Sequence, residues 1–195
     1  RVNQYNGVYD WDGYRTLVHG AINHGQEFTH PARRREVATY YCSNCGLGLV
    51  MGARAIGQIQ RVAVIGLGTG TIAGYSNVGD LYRFYEINPA VVRIASDTNY
   101  FTFLSDSAAT VEVKLGDARK SLEAERGRSE PKVDVLVIDA YSGDSIPFHL
   151  ATKEAFRLYR DRLEPDGILA VHVSNWHIDL LPLCKAMAKE IGFGI

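Results

Sequence analysis

A doubly wound α/β domain built on a parallel sheet is the fold this sequence predicts, and three observations predict it. Apolar runs alternate with helical patterns from residue 61 to the end of the chain. The first run, Arg61-Val-Ala-Val-Ile65, stops at a glycine-rich turn, Gly66-Leu-Gly-Thr-Gly70. An acidic residue follows about one strand–helix–strand unit later, in Tyr85-Glu-Ile-Asn88. Glycines in such a turn let the backbone approach a ligand closely, and a carboxylate at the next strand end accepts hydrogen bonds from ribose hydroxyls. The pattern predicts a Rossmann-like nucleoside pocket.

The elements follow in order. Strands are predicted over 61–66, 81–87, 111–115, 133–139 and 167–174, with helices over 70–77, 88–98, 117–126, 150–163 and 177–191. Pro89 sits where a first helical turn tolerates it, and Asp166-Gly167 supplies a turn into the fifth strand. The runs Val133-Asp-Val-Leu-Val-Ile138 and Ile168-Leu-Ala-Val-His-Val173 are apolar almost throughout, as in strands covered on both faces. Strands alternating with helices imply parallel, right-handed crossovers. Residues 1 to about 55 differ. They are rich in Tyr, Gly and His, and short alternating runs such as Arg15-Thr-Leu-Val-His19 predict small β-hairpins rather than helices. Two regions result: an amino-terminal hairpin region, 1–55, and a nucleoside-binding catalytic domain, 56–195. The charged run from Lys120 to Lys132 reads as a solvated helix end and loop.

Bulk properties exclude several classes. With 195 residues, 46% of them hydrophobic, the chain can bury a sizeable core. A net charge of -1 provides no overall field to recruit nucleic acid or an anionic membrane. No apolar run approaches the ~20 residues that span a bilayer, and no signal peptide is visible, so a cytoplasmic location is expected. The chain opens on Arg1 and stops at Gly194-Ile195, where another strand is expected to start. It therefore reads as a piece of a longer protein, truncated at its carboxyl end.

Three cysteines leave one unpaired, which argues against a disulfide framework and for a reducing compartment. Cys42 and Cys45 read as two thiols in a turn, since a zinc site needs about four ligands and no second pair follows at finger spacing. The histidines are dispersed, and no metal is expected. His172, within an apolar strand, reads as a hydrogen-bonded core residue.

In an open parallel sheet, ligands sit beyond the carboxyl ends of the strands, where strand order reverses. Gly66, Gly68 and Gly70 follow the first strand, Glu86 ends the second, Asp117 follows the third and Asp139 the fourth. Glu86 is expected to bind ribose and Asp117 the base, although an aspartate at that place also suits a helix cap. Asp139 lies in Val137-Ile-Asp-Ala-Tyr-Ser-Gly-Asp144, at the exit of the most apolar strand. A carboxylate there can hold a bound amine and accept a proton. Thr152 or Ser145 suits the cap of the next helix better than Asp139 does. Asp144 either turns the loop or contacts substrate, and Tyr141 and Trp176 either line the pocket or pack.

Taken together, Gly66-Leu-Gly-Thr-Gly70, Tyr85-Glu-Ile-Asn88, Leu115-Gly-Asp-Ala118 and Asp139-Ala-Tyr-Ser-Gly-Asp144 resemble the spermidine synthase (polyamine aminopropyltransferase) family. Leu17-Val-His-Gly-Ala-Ile-Asn-His-Gly-Gln26 and Ala38-Thr-Tyr-Tyr41 agree with it. The chain is particularly similar to the spermidine-synthase-like domains joined to transporter-like membrane segments. The resemblance implies a methyltransferase-like Rossmann domain behind an amino-terminal β-hairpin region. It implies transfer of an aminopropyl group from decarboxylated S-adenosylmethionine to putrescine or a related amine, with no metal. By position, Gly66, Gly68, Gly70, Glu86 and Asn88 would line the donor, and Asp117 with Ala118 its adenine end. Gln26 or Asn23 would help place the donor. Asp139 would hold and deprotonate the amine, with Tyr40 or Tyr41 beside it and Tyr141 and Asp144 contacting the acceptor. Expected partners are a small-molecule amine and no nucleic acid. A second copy of the chain, and membrane segments outside it that would put it on the cytoplasmic face, stay open.

The chain departs from the family pattern in three places. Thr69 stands where the family has an acidic residue in the glycine loop, His19-Gly20 stands for Asp-Gly, and the loop after Asp139 is one residue longer. Thr69 suits the amino-acid tail of ordinary S-adenosylmethionine equally well, so a methyltransferase is the alternative. A catalytically idle nucleoside- or polyamine-binding module attached to a transporter is a further one. A nicotinamide dehydrogenase is disfavoured, because Thr71 occupies the third glycine position of Gly-x-Gly-x-x-Gly.

Overall fold

The computed structural model describes residues 5–11, 13–20, 22–53, 58–128, 130–141, 146–174 and 178–195. Three antiparallel strands come first: β1 (Tyr5–Trp11), β2 (Tyr14–Gly20) and β3 (Ile22–Phe28), in the order β1-β2-β3. A 3-10 turn (Thr39–Tyr41) and the helix α1 (Gly46–Gly52) follow. The rest alternates: β4 (Arg61–Ile65), β5 (Leu81–Glu86), α2 (Pro89–Ser96), β6 (Thr110–Leu115), α3 (Ala118–Gly127), β7 (Val133–Ile138), α4 (Lys153–Arg162), β8 (Leu163–Val171) and α5 (Leu181–Ile191).

These later strands form one parallel sheet in the order β6-β5-β4-β7-β8. The chain builds outward from β4 through β5 to β6, then returns to β7 on the other side. Strand order therefore reverses between β4 and β7, and the crevice beyond their carboxyl ends is the place for a ligand. The fold is an α/β methyltransferase-like one with a small antiparallel sheet at its amino terminus.

The period-2 alternation of the strands sends their side chains to two cores. Ala63, Ile65, Leu136 and Ile138 pack with Leu122 of α3 and Ala155, Phe156 and Tyr159 of α4. Val62, Val64, Val135 and Val137 pack on the opposite face with Tyr82, Phe84, Ile72, Tyr41 and Met51. Each fully buried aliphatic side chain contributes roughly 1.5–3 kcal/mol, so the two central strands anchor the fold. Helix starts follow sequence chemistry. Asn88, Asp117 and Thr152 cap α2, α3 and α4 by accepting from the backbone N–H of Ala90, Lys120 and Ala155.

Several expectations are corrected. The predicted helix over 70–77 is only a 3-10 turn, Thr71–Tyr75. Gly70 and Gly74 weaken helix there, and Asp80 closes the chain by accepting from the N–H of Asn77 and Gln60. The amino-terminal region contains α1, whose glycines mimic turn punctuation. A Cβ on Gly48 would lie 2.2 Å from the Cys42 carbonyl oxygen, so that glycine serves close packing instead. The fifth strand starts at Leu163 rather than 167. Its register breaks between the pairs Val133↔Leu163 and Val135↔Ile168, so Asp166-Gly167 lies in a bulge. This strand is an edge, half-buried rather than covered on both faces, beside a groove of about 460 Å³ against α5.

Two further corrections concern chemistry. Cys42 and Cys45 form a disulfide with Cα atoms 5.2 Å apart rather than standing as two thiols, leaving Cys184 as the free thiol, so the cysteines do not point to a reducing compartment. Glu125, in the run expected to be solvated, is 1% exposed. It accepts from Lys114 Nζ (2.6 Å) and Tyr85 Oη (2.7 Å), and pairs with Arg83 and Arg162, both at 3.4 Å. Among the described residues no helix is long and apolar enough to cross a membrane.

Candidate active site

The glycine turn is held from two sides. Gly66 has φ +100°, and a Cβ on it would lie 2.4 Å from the Asp139 carbonyl oxygen. Gly68 has φ +54°, and a Cβ there would lie 2.2 Å from the His24 carbonyl oxygen, which also accepts from the Thr69 N–H at 3.2 Å. Gly70 adopts φ +83°. Only glycine takes such angles without strain, and two of these positions also lack room for a side chain. The amino-terminal sheet is clamped above this loop. Buried Glu27 accepts from the N–H and hydroxyl of Thr102, both at 2.8 Å, and Arg15 donates to the carbonyls of Asn99 and Tyr100. Burial pushes the Glu27 carboxyl above its usual range, opposed by those Thr102 hydrogen bonds.

Backbone hydrogen bonds extend the sheet past its strand ends: Gly66 N–H to Tyr85 O, Gly116 N–H to Glu86 O, Asp139 N–H to Ile65 O and His172 N–H to Ile138 O. The ends of all five strands thus form one row. On one side of the glycine turn stands Glu86. One of its oxygens accepts from the Leu67 N–H at 3.1 Å, the other from the Asn88 N–H at 2.8 Å, so the carboxylate joins the loop to the start of α2.

On the other side stands Asp139. Tyr41 Oη donates to its Oδ2 at 2.5 Å, and His172 Nδ1 contacts its Oδ1 at 2.6 Å. Aromatic rings enclose this pair. Tyr40 lies 4.4 Å from Tyr41 and 5.0 Å from His172, and Tyr141 lies 4.8 Å from His172, between ring centroids. Desolvation, then the negative charge of Asp139, pushes Tyr40 up to about 12, and the same causes raise Tyr41 well above the ordinary phenol range. Tyr141 is raised likewise. All three phenols stay protonated near neutrality and serve as donors. Tyr41 is fixed further because Tyr75 Oη donates to its carbonyl.

The structure brings Gly66, Gly68, Gly70, Glu86, Tyr40, Tyr41, Asp139 and Tyr141 to this row of strand ends. Tyr141 turns its hydroxyl to the carbonyls of His172 and Ser174. Gln26 lies in β3 next to Gly25, with its amide donating to Thr16 Oγ1 at 3.1 Å; the Asn23 side chain accepts from the Gly25 N–H. Asp117 spends one oxygen on the α3 cap, and its other lies 3.1 Å from His149 Nε2. Asn88 is likewise engaged as a cap, and Ala118 is buried in the first turn of α3. Asp144 and Trp176 lie outside the described residues.

Two histidines were not anticipated here. His172 is no core residue: it sits just past β8 and pairs with Asp139. The signal that could have found it is its place at the end of a strand, as with Glu86 and Asp139; reading the strand to 174 hid this. His24 is the second. Burial, then nearby His19, lowers its pKa, with Asp139 opposing.

No protein-family model matches the chain. It is similar in sequence to the polyamine aminopropyltransferase of Vibrio vulnificus, 32% identical over 118 residues, 58% of this chain and 37% of that protein. It is also similar to the N-terminal histidine N-methyltransferase of Emericella nidulans, 27% identical over 176 residues, 84% of this chain and 30% of that one. The chain thus spans 37% of the first of these curated relatives and 30% of the second. Among solved structures, a probable spermidine synthase from Corynebacterium glutamicum superposes with TM-score 0.64 at 15% identity, over 87% of this chain and 64% of that one. Human methyltransferase-like protein 13, solved in complex with SAH, superposes with TM-score 0.58 at 19% identity, over 68% and 63%. Both sequence relatives are transferases, one named for aminopropyl transfer and the other for methyl transfer.

Proposed function

We propose that this protein is an aminopropyltransferase-like enzyme, moving an aminopropyl group from decarboxylated S-adenosylmethionine to putrescine or a related amine. The observation that carries this reading is Asp139 at the strand-order switch, gripped by Tyr41 and His172 across the glycine turn from Glu86. In this reading residues 56–195 carry the nucleoside site and residues 1–55 cover it, in a cytoplasmic protein or at the cytoplasmic face of a larger one. Glu86 binds the ribose hydroxyls, the glycine turn passes beneath the nucleoside, Asp117 and Ala118 border the adenine end, and Gln26 helps place the donor tail.

The reaction's demands fit such a site. An alkyl amine has a pKa near 10.4, so about one molecule in a few thousand is neutral at pH 7. Attack at the carbon beside the sulfonium needs that lone pair free and in line. A carboxylate set among protonated phenols draws in the ammonium and fixes its direction, and the sulfonium leaves readily as a neutral thioether. Mass-spectrometric product analysis with both donor forms and a panel of di- and polyamines tests this. Methylthioadenosine with an aminopropylated amine is the expected result, and no product from any pair overturns it.

A methyltransferase using intact S-adenosylmethionine is the second reading, favoured by Thr69 in the glycine loop. Thr69 is 1% exposed and hydrogen-bonds Thr71 at 2.8 Å, offering no charge to a free amine. A methylated acceptor in the same assay decides for it. Tight nucleoside binding with no turnover decides for an idle binding module.

A further inference from the structure

We infer that His172, rather than Asp139, takes the proton from the attacking amine, with Asp139 as its buried orienting partner. This rests on the transfer reading above and assigns the base within it.

An ionised carboxylate can only accept, so the 2.6 Å contact between His172 Nδ1 and Asp139 Oδ1 places a proton on Nδ1. A neutral imidazole protonated there carries its open lone pair on Nε2. Among the described residues Nε2 has no hydrogen-bond partner, whereas each oxygen of Asp139 already accepts from a donor of the protein, Tyr41 Oη or His172 Nδ1. Access agrees. The imidazole is 23% exposed and the carboxylate 10%. The more open group is the one whose acceptor atom has no protein partner among the described residues.

The ring is also held in place. Tyr40 and Tyr141 lie against it, and Tyr141 Oη donates to the carbonyls of both His172 and Ser174, clamping the backbone where the histidine leaves β8. A buried aspartate on Nδ1 that fixes the tautomer and stabilises the imidazolium is the logic of the Asp–His pair in serine hydrolases, here applied to an amine. The groups facing the Asp139–His172 pair are Tyr40, Tyr41 and Tyr141, with His24 near Asp139 and His19 beside His24. The phenols stay protonated near neutrality and add no negative charge to the pair.

The step balances. One ammonium proton of the acceptor moves to Nε2, giving an imidazolium held by Asp139. The freed nitrogen pair forms the new C–N bond, the C–S pair returns to sulfur as a neutral thioether, and the imidazolium then releases its proton to water.

The test is His172→Asn against His172→Phe in the transfer assay, with melting temperature checking the fold. Asparagine can keep the N–H that Asp139 accepts but has no Nε2. Both variants are expected to lose 10²–10⁴-fold in kcat, the scale of a general base, with donor Kd unchanged and the acidic limb of the pH profile gone. His172→Asn retaining kcat within about threefold overturns the assignment, because rescue by a donor alone marks a positioning residue. Nitrogen-15 NMR of His172 gives a readout without turnover: a neutral ring protonated on Nε2 overturns it, and one protonated on Nδ1 supports it. A wild-type chain that makes no product overturns the transfer reading itself. An active wild type with an active His172→Asn overturns only the base.

Discussion

Gly66 and Asp139 touch across the reversal of strand order: a Cβ on Gly66 would lie 2.4 Å from the Asp139 carbonyl oxygen. The atoms that crowd this position are all backbone, so none of them can rotate away. Gly66→Ala is therefore expected to cost at least the ~1–3 kcal/mol of a residue held at a positive φ, and to displace Asp139. Denaturant unfolding together with turnover measures both. Wild-type stability and activity in the variant would contradict the contact.

Asp139→Asn keeps the shape and removes the charge. Whether Asp139 takes the proton itself or orients His172, transfer should fall by at least about 100-fold while donor affinity stays within a few-fold. Isothermal calorimetry and product analysis separate the two effects. Equal turnover in the variant removes Asp139 from the acceptor site.

Glu86→Ala tests the other wing. Its carboxylate accepts from Leu67 and Asn88 and is proposed to receive the ribose hydroxyls. Loss of a hydrogen bond to a charged group weakens nucleoside binding by about 1.5–3 kcal/mol. An unchanged Kd would place the nucleoside elsewhere.

Much of this arrangement was legible in the sequence because strand ends announce themselves. The apolar runs at Arg61–Ile65 and Val133–Ile138 end abruptly at Gly66 and Asp139, and those ends do converge. Pro89, Asp117 and Thr152 announced helix starts by their chemistry. What escaped depends on tertiary contact. His172 looked like core because the strand pattern runs on past Val171, and only the pairing with β7 shows where the ladder stops. The Cys42–Cys45 disulfide escaped because an odd cysteine count argued against pairing, whereas Tyr41, which no local spacing links to Asp139, was reached through the family resemblance alone. Glu125 was hidden for the opposite reason: a charged run read as solvated contains one carboxylate that turns inward to meet Arg83, Lys114 and Arg162.

That inward turn makes a stability prediction. Lys114 is 33% exposed and can reach water, but the Arg162 side chain is 4% exposed. Glu125→Ala leaves the guanidinium buried without its counter-charge, a loss of about 3–5 kcal/mol. Urea unfolding of the variant measures it. A change under about 1 kcal/mol would show that the backbone carbonyls of Glu130 and Pro131, which Arg162 also reaches, suffice.

The pH dependence of stability near neutrality should come from His24. Burial, and then the proximity of His19, hold its folded pKa below the unfolded value of 6.5, with Asp139 working against them. As pH falls below 6.5 the unfolded chain binds a proton that the folded chain refuses, so folding weakens through that window and levels off once the folded pKa is passed. Above 6.5 the contribution is flat, since His24 is neutral in both states. His24→Gln removes the titrating group while keeping a polar side chain beside the glycine turn. Melting temperatures recorded from about pH 7.5 to 5 should fall less steeply in the variant than in the wild type. Identical slopes would assign the acid sensitivity to another group, and a steeper slope in the variant would reverse the sign proposed for His24.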